Sequence, residues 1–389
     1  MRMSFNMRQM LLFVLFLPII SFAQVTKTSN YWKSNTIDEG QIGVQMKESA
    51  TFPLTFSLQK NTFQNSLSRV SSKNDTESGE KIRVDFPNQK GEFIRFKLVE
   101  KSSFSDNLKK KYPNISSFYG TAIHDPKLHA LISYSKTTGL HVSFQKAGEE
   151  ELKLTKTKES NTYILYKSSD IQQSKKEQLQ CDFIENLEEK RKIQSNNKKS
   201  SKKKSAKSVA VASSIIYKMA LGVTGDLSNE ILSGLNISSS ATEQVKKEGI
   251  LSWLNVIIQN TNYIFNRDVG IQFELIDETD QLIFLDPNTD TLSHLDKFEA
   301  LEAFPSICEN NVGFDAYEIS HLLGLGGGGV AYRRGLCDDK TTSGVSLMTY
   351  NSDPYIGTFS HEIGHQFAAG HTFNNCPPNM DQIAVYSSV

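Results

Sequence analysis

Short runs of alternating apolar and polar residues fill the first half of the chain. Ile82-Arg83-Val84-Asp85-Phe86, Phe93-Ile94-Arg95-Phe96-Lys97-Leu98-Val99, Leu140-His141-Val142-Ser143-Phe144 and Thr162-Tyr163-Ile164-Leu165-Tyr166 repeat with a period near two. That period places every second side chain on one face, so each run predicts a half-buried strand. Polar clusters separate the runs, and the stretch 24–189 reads as a β-rich domain with no catalytic constellation of its own.

The texture changes after Ile215. Ile215 to Val223 is a continuous apolar run, as a buried strand would have. Ala241 to Asn266 shows helical spacing, with Val245, Ile250, Trp253, Leu254, Ile257, Ile258 and Ile264 on one stripe. Val269 to Ile276 and Gln281 to Leu285 predict two further strands. Strand, long helix, strand, strand indicates an α/β or α+β domain over 213–389 built on a mixed sheet. The run Gly326-Gly327-Gly328-Gly329 lacks the lysine and spacing of a phosphate-binding loop. It predicts a mobile turn or a bulged edge strand beside a site.

Between the two regions, Lys190 to Lys207 carries nine Lys/Arg and no acid. Such a segment cannot bury apolar area, so 190–212 is expected to be a basic, disordered linker, either a maturation site or a plain spacer. The charge divides at the same place: 213–389 has 8 Lys/Arg against 22 Asp/Glu, and 1–212 has 35 against 21. Opposite charge favours intramolecular docking of the two halves, unless both are simply solvated surfaces. The lysines are not interleaved with aromatics, so nucleic acid is not an expected partner.

The N-terminus bears on location. Arg2 and Arg8 precede the apolar stretch Met10 to Ile20, and Ser21-Phe22-Ala23 offers a small-x-small cleavage site. Residues 1–23 are therefore expected to be a signal peptide of a secreted, extracellular protein. No other stretch is apolar and long enough to predict a membrane span. Four cysteines, at 181, 308, 337 and 376, suit an exported chain with few disulfides.

The chemistry concentrates near residue 361. Asp353-Pro354 combines an N-cap acceptor with a first-turn proline, and Ile356, Phe359, Ile363 and Phe367 give the helix that follows an apolar face. Within it, His361-Glu362-Ile363-Gly364-His365 places two imidazoles one turn apart on the same side. His371 follows from the outgoing turn, where Gly370 is expected to take the left-handed conformation. Three neutral imidazoles and one open position suit a hydrolytic Zn2+, with Glu362 placed to take a proton from water at the ion. A chance His-Glu-x-x-His is expected in about 1% of chains with this histidine content. For His124, His129, His141, His294 and His321 the spacing suggests nothing beyond structural roles. No glutamate follows Glu362, which removes a downstream glutamate as third ligand.

His361-Glu362-x-x-His365 with His371, continued by Thr372-Phe373-Asn374, resembles the secreted bacterial reprolysin-like members of the metzincin metalloproteases. Gly326 to Ala331, Tyr217 to Gly225, Asn266 to Ile271 and, in the first half, Tyr112 to Gly120 and Leu128 to Val142 are similar as well. The resemblance implies a metzincin-like catalytic domain after a β-rich pro-domain. It implies His361, His365 and His371 on zinc, Glu362 as general base, and a zymogen that cleaves protein or peptide substrates. Substrate would add as a strand to an edge near Ile319 to Leu325.

The sequence departs from the family in two places. Ala368 stands where the family has the glycine of the helix exit; a left-handed alanine costs about 1–2 kcal/mol unless the turn shifts to Gly370. The methionine turn expected after the third histidine has no counterpart: Met380 lies in Pro377-Pro378-Asn379-Met380-Asp381, and Met348 precedes the helix. The catalytic domain is thus expected to be C-terminally incomplete, which raises the alternative of an inactive zinc-binding fragment acting as an adhesin or binding module. Cys181 lies where a pro-segment thiolate could hold zinc's fourth position, similar to the cysteine switch of some metzincins, although Gln180-Cys181-Asp182 departs from the best-known switch motif; the alternative is a free or otherwise paired thiol. Cys308 and Cys337 are the expected disulfide.

Overall fold

The computed structural model describes residues 26–42, 46–70, 82–159, 161–171, 181–185, 214–336, 343–350 and 355–371, with 181–185 described as backbone. The expected signal peptide, the linker 190–212, Asp353-Pro354, Cys337, Cys376 and Met380 lie outside the described residues. None of the described helices is long and apolar enough to cross a membrane.

The alternating runs of the first half form one nine-stranded antiparallel sheet. Its strands are β1 (Trp32–Asn35), β2 (Leu54–Leu58), β3 (Arg83–Pro87), β4 (Phe93–Glu100), β5 (Ile115–Ala122), β6 (His129–Ser135), β7 (Gly139–Gln145), β8 (Leu152–Lys156) and β9 (Thr162–Lys167). They are ordered β1-β2-β9-β8-β7-β6-β5-β4-β3. One face is covered by aromatic packing among Trp32, Phe63, Phe86, Phe96 and Phe144, with Phe63 supplied by α1 (Lys60–Leu67). The Trp32 indole N–H is satisfied inside this core by the Asp85 carbonyl at 2.7 Å.

The second sheet has six strands, ordered β10-β14-β15-β13-β11-β12. These are β10 (Cys181–Glu185), β11 (Ile215–Val223), β12 (Ile271–Leu275), β13 (Ile319–Leu325), β14 (Gly328–Arg333) and β15 (Gly344–Met348). β12, β11, β13 and β15 run parallel, β14 is antiparallel to β15, and β10 runs parallel to β14. One face carries α5 (Lys297–Asn311), whose Leu301, Phe304 and Cys308 pack on Leu322, Val330 and Val345. The other face carries α3 (Gly225–Gly234), α4 (Glu243–Val269) and α6 (Tyr355–Gln366). The mixed α+β architecture behind a β-rich region is as the pattern predicts.

Several expectations change. The segment expected to be the substrate edge, Ile319 to Leu325, is β13 and lies between β11 and β15. Its first six residues are all buried, as a strand covered on both faces must be. The glycine run instead starts β14, the strand that β10 covers. Residues Thr279–Leu282 form a 3-10 turn, so the strand expected over Gln281 to Leu285 reduces to a single bridge between Val223 and Ile283. Val245 is exposed, since it lies in the first turn of α4 ahead of the packed portion. Cys308 is a free buried thiol, its pKa pushed up to about 12 by burial, rather than half of the expected disulfide.

The two sheets share α4. Its apolar side, Ile250, Leu254 and Ile258, packs on the second sheet. Its opposite side carries Asn255, Gln259 and Asn262, which an isolated helix would turn to water, and all three are buried against the first region. Asn255 accepts from the Ser117 hydroxyl at 2.7 Å and donates to Ser133 at 2.6 Å. Gln259 donates to the carbonyls of Phe118 (2.9 Å) and Ile132 (3.1 Å). Asn262 donates to the Ser103 hydroxyl at 3.1 Å and accepts from the Phe273 amide at 2.6 Å. Each buried amide is thus satisfied, the condition under which such groups do not destabilise.

Residues 103–112 go further and enter the second core. Leu275 donates its amide to the Ser103 carbonyl (2.8 Å), and Ser105 donates to the Leu275 carbonyl (3.0 Å), so the chain adds to the end of β12. Helix α2 (Asp106–Lys111), capped by Ser105, then buries Leu108; Phe104, Tyr112 and Ile115 are buried in the same apolar cluster as Leu254, Phe273, Phe359 and Ile363. The Tyr112 hydroxyl donates to Asp280 at 2.8 Å, and Lys111 pairs with the same carboxylate. Leu108→Ala should therefore destabilise the region of the second sheet, by about 2–5 kcal/mol for a fully buried leucine. Chemical denaturation followed at Trp253 on α4, in a Trp32→Phe background, checks this; an unshifted Trp253 transition would count against a shared core.

Candidate metal centre

Helix α6 is seated by its apolar stripe. Phe359 and Ile363 are fully buried, and Phe367, just past the helix, lies among Tyr217, Phe265 and Phe273 with ring centroids 5.1, 6.2 and 5.9 Å away. Thr261 of α4 and Ser360 of α6 share a hydrogen bond of 3.3 Å. With that stripe against the core, His361 and His365 share the adjoining side, as an i,i+4 pair must.

The chain leaves α6 through a Schellman turn. The Ala368 amide donates to the His365 carbonyl (2.8 Å) and the Ala369 amide to the Gly364 carbonyl (2.9 Å). Ala368 itself takes the left-handed conformation, with φ 75°. The turn therefore does not shift to Gly370, and the expectation that Gly370 is the left-handed residue is corrected. β14 holds this turn from outside: Arg333 Nε donates to the carbonyls of Ala368 (3.2 Å) and Ala369 (3.3 Å), and the Arg334 amide donates to the His365 carbonyl (3.1 Å).

The turn brings His371 back over the helix. The Nε2 atoms of His361, His365 and His371 form a nearly equilateral triangle with sides of 3.1, 3.2 and 3.2 Å. A tetrahedral ion with nitrogen ligands at about 2.0–2.1 Å requires about 3.3–3.4 Å between ligand atoms. The triangle fits that requirement to within a few tenths of an ångström.

The protonation states agree with a donor set. His365 Nδ1 donates to the Ala369 carbonyl at 2.8 Å, which leaves Nε2 with its lone pair toward the centre. Burial first, then the neighbouring imidazoles, hold His361 down at about 4; burial also lowers His365, partly offset by the bond to Ala369. Imidazole nitrogens that converge in this way suit a cation, and among the described residues these three histidines form the group able to hold one.

Glu362 is fully buried beside them. A methyl group at Gly329 of β14 would come within 2.5 Å of its Oε1 and 2.6 Å of its Cγ, so only glycine leaves room for this carboxylate against the strand. Beneath the helix, His321 of β13 and Gln366 are also fully buried and hydrogen-bonded to each other at 3.0 Å. Pattern reading brought together His361, Glu362, His365 and His371. It did not bring in Gly329, Arg333, His321 or Gln366, although a histidine inside a strand with no charged residue was a signal of a buried polar network.

Residues 252–372 match the model of the Metallo-peptidase family M12B Reprolysin-like. The matched stretch runs from the third turn of α4 through His371 and supports a reprolysin-like metallopeptidase that uses a metal cofactor. No curated protein matches the chain.

Ala368→Gly should stabilise the protein by about 1 kcal/mol, because glycine takes the left-handed conformation without the steric cost of an L-side chain. Urea unfolding of the two forms checks it; an unchanged or lower midpoint would place the strain elsewhere.

Proposed function

We propose that this metallopeptidase is a secreted zinc endopeptidase made as a zymogen. The observation that carries the reading is the closed triangle of three imidazole nitrogens, with the Glu362 carboxylate buried at its side. His361, His365 and His371 would hold Zn2+, a choice favoured by three neutral nitrogen donors and an open tetrahedral position. When bound, Zn2+ polarises the scissile carbonyl and makes water more acidic.

The remaining chemistry belongs to the chain. Glu362 accepts the proton of the attacking water and returns it to the leaving amine. Its burial removes competing solvent, and Gly329 sets how closely β14 approaches it. An extended protein or peptide substrate would add to β14, the strand flanking this carboxylate, in place of the interior strand first expected.

The zymogen reading rests on what covers that strand. β10 pairs with β14 along its length, with Cys181 in register with Gly329 and Glu185 with Arg333. The backbone groups a substrate would use are thereby engaged by a segment that precedes the basic linker. Together with the shared core around Phe104 and Tyr112, this supports 24–189 as a pro-domain docked on the catalytic domain, and a cut within 190–212 as the route to maturation.

The purified chain, cut within 190–212, should hydrolyse casein. Chelation should abolish the activity, Zn2+ should restore it, and Glu362→Ala should lower kcat by about 10²–10⁴-fold with zinc content unchanged. A cut wild-type protein that holds zinc and shows no turnover would favour a binding module. Gly329→Ala, which pushes the carboxylate off its place, should lower kcat by about 100-fold in the same assay.

A further inference from the structure

We propose that His321 is a positioning residue for the metal centre: through Gln366 it fixes the rotation of α6 about its axis, and with it the places of His365 and Glu362. The inference rests on the metallopeptidase reading above. It starts from a chain of hydrogen bonds that this reading does not use. Gln366 donates through Nε2 to the Ser320 carbonyl at 2.9 Å, so its Oε1 is left as the acceptor. His321 Nδ1 lies 3.0 Å from that oxygen and is therefore the protonated ring nitrogen. His321 Nε2, 2.9 Å from Ser346 Oγ, then accepts from the hydroxyl. The chain runs from Ser346 on β15 through His321 on β13 to Gln366 on α6 and back to the backbone of β13.

Every member is buried and the imidazole is kept neutral, its pKa pushed down to about 4 by burial. The ring also stands edge-on to Phe359, two turns of α6 before Gln366, with centroids 4.9 Å apart at 89°. Gly344 of β15 closes over the pair: a methyl there would meet His321 Nδ1 at 2.7 Å and Gln366 Oε1 at 2.9 Å. The site has room for this hydrogen bond and for little else.

The position of Gln366 gives the chain its leverage. It directly follows His365 and sits one turn after Glu362, so it turns with both as the helix turns. A donor atom roughly 6 Å from a helix axis moves about 1 Å for each 10° of rotation. The apolar contacts of Phe359 and Ile363 are non-directional and resist such a rotation weakly, whereas a hydrogen-bond chain tied to the backbone of a central strand resists it strongly. Metal and general-base geometry tolerate about 0.5 Å.

The test uses the full chain with His321→Leu, which removes the donor, and His321→Asn, whose Nδ2–H takes the place of Nδ1–H toward Gln366. Zn2+ affinity is read by chelator competition, the site's geometry by the visible spectrum of the Co2+ form, and kcat and KM after a cut within 190–212. His321→Leu should weaken Zn2+ binding at least 10-fold, alter the Co2+ spectrum, and lower kcat 10-fold or more with KM within twofold. His321→Asn should stay within threefold of wild type on each. Should His321→Leu fail to fold, Gln366→Met breaks the same link from the helix side, with the same losses expected.

Wild-type Zn2+ affinity and spectrum in the folded Leu or Met variant overturn the proposal. So does equal impairment of the Leu and Asn variants, which would make His321 a packing residue. A wild-type chain whose Zn2+ binding is absent, or indifferent to His361→Ala, overturns the metallopeptidase reading and this inference together. Intact wild-type binding with an indifferent His321→Leu overturns the inference alone.

Discussion

The geometry of the site depends on one backbone turn. His361 and His365 come from a single helix and would face each other wherever that helix lay, but the third imidazole must be carried back by the chain that leaves it. Ala368 does this at φ 75°, in a conformation that disfavours any residue with a Cβ. Two Schellman hydrogen bonds and the Arg333 contacts from β14 hold it there. Strain at a position fixed from both sides is tolerated where function needs it. It ties the imidazole triangle to β14, so the strand proposed to receive a substrate also holds the turn that places His371.

The second constraint is α4, which is buried on two sides. An amphipathic surface helix needs one apolar stripe; this one carries an apolar stripe for the second sheet and a ladder of amides for the first. The segment around Phe104 and Tyr112 completes the same core that supports Phe359 and Ile363 under the three histidines. The two regions are thus coupled through packing as well as through the covalent chain.

What was legible in the sequence follows from how local each signal was. The His-Glu-x-x-His helix needs one turn of geometry and no tertiary knowledge. The left-handed cost at Ala368 was legible too, while the choice between 368 and 370 depended on Arg333, which comes from another strand. The strand β14 was harder to read because glycine has low strand propensity. Ile319 to Leu325, with four aliphatic residues and no charged one, carried the mark of an interior strand and was nonetheless expected at an edge. Asn255, Gln259 and Asn262 carry no local mark of burial; only the first sheet laid against them makes them interior. His321 gave only a lone histidine; its partners, Ser346 and Gln366, lie on other elements.

The pairing of β10 with β14 has a consequence for association as well as for catalysis. A strand already paired offers few unpaired amides and carbonyls to a foreign chain. Departure of β10 would open a cleft and, in the same step, bare a flank to which any extended polypeptide can adhere. On the proposed zymogen reading, a molecule freed in this way would become more competent and more prone to clump at once, so crowding it with its own kind would oppose the gain.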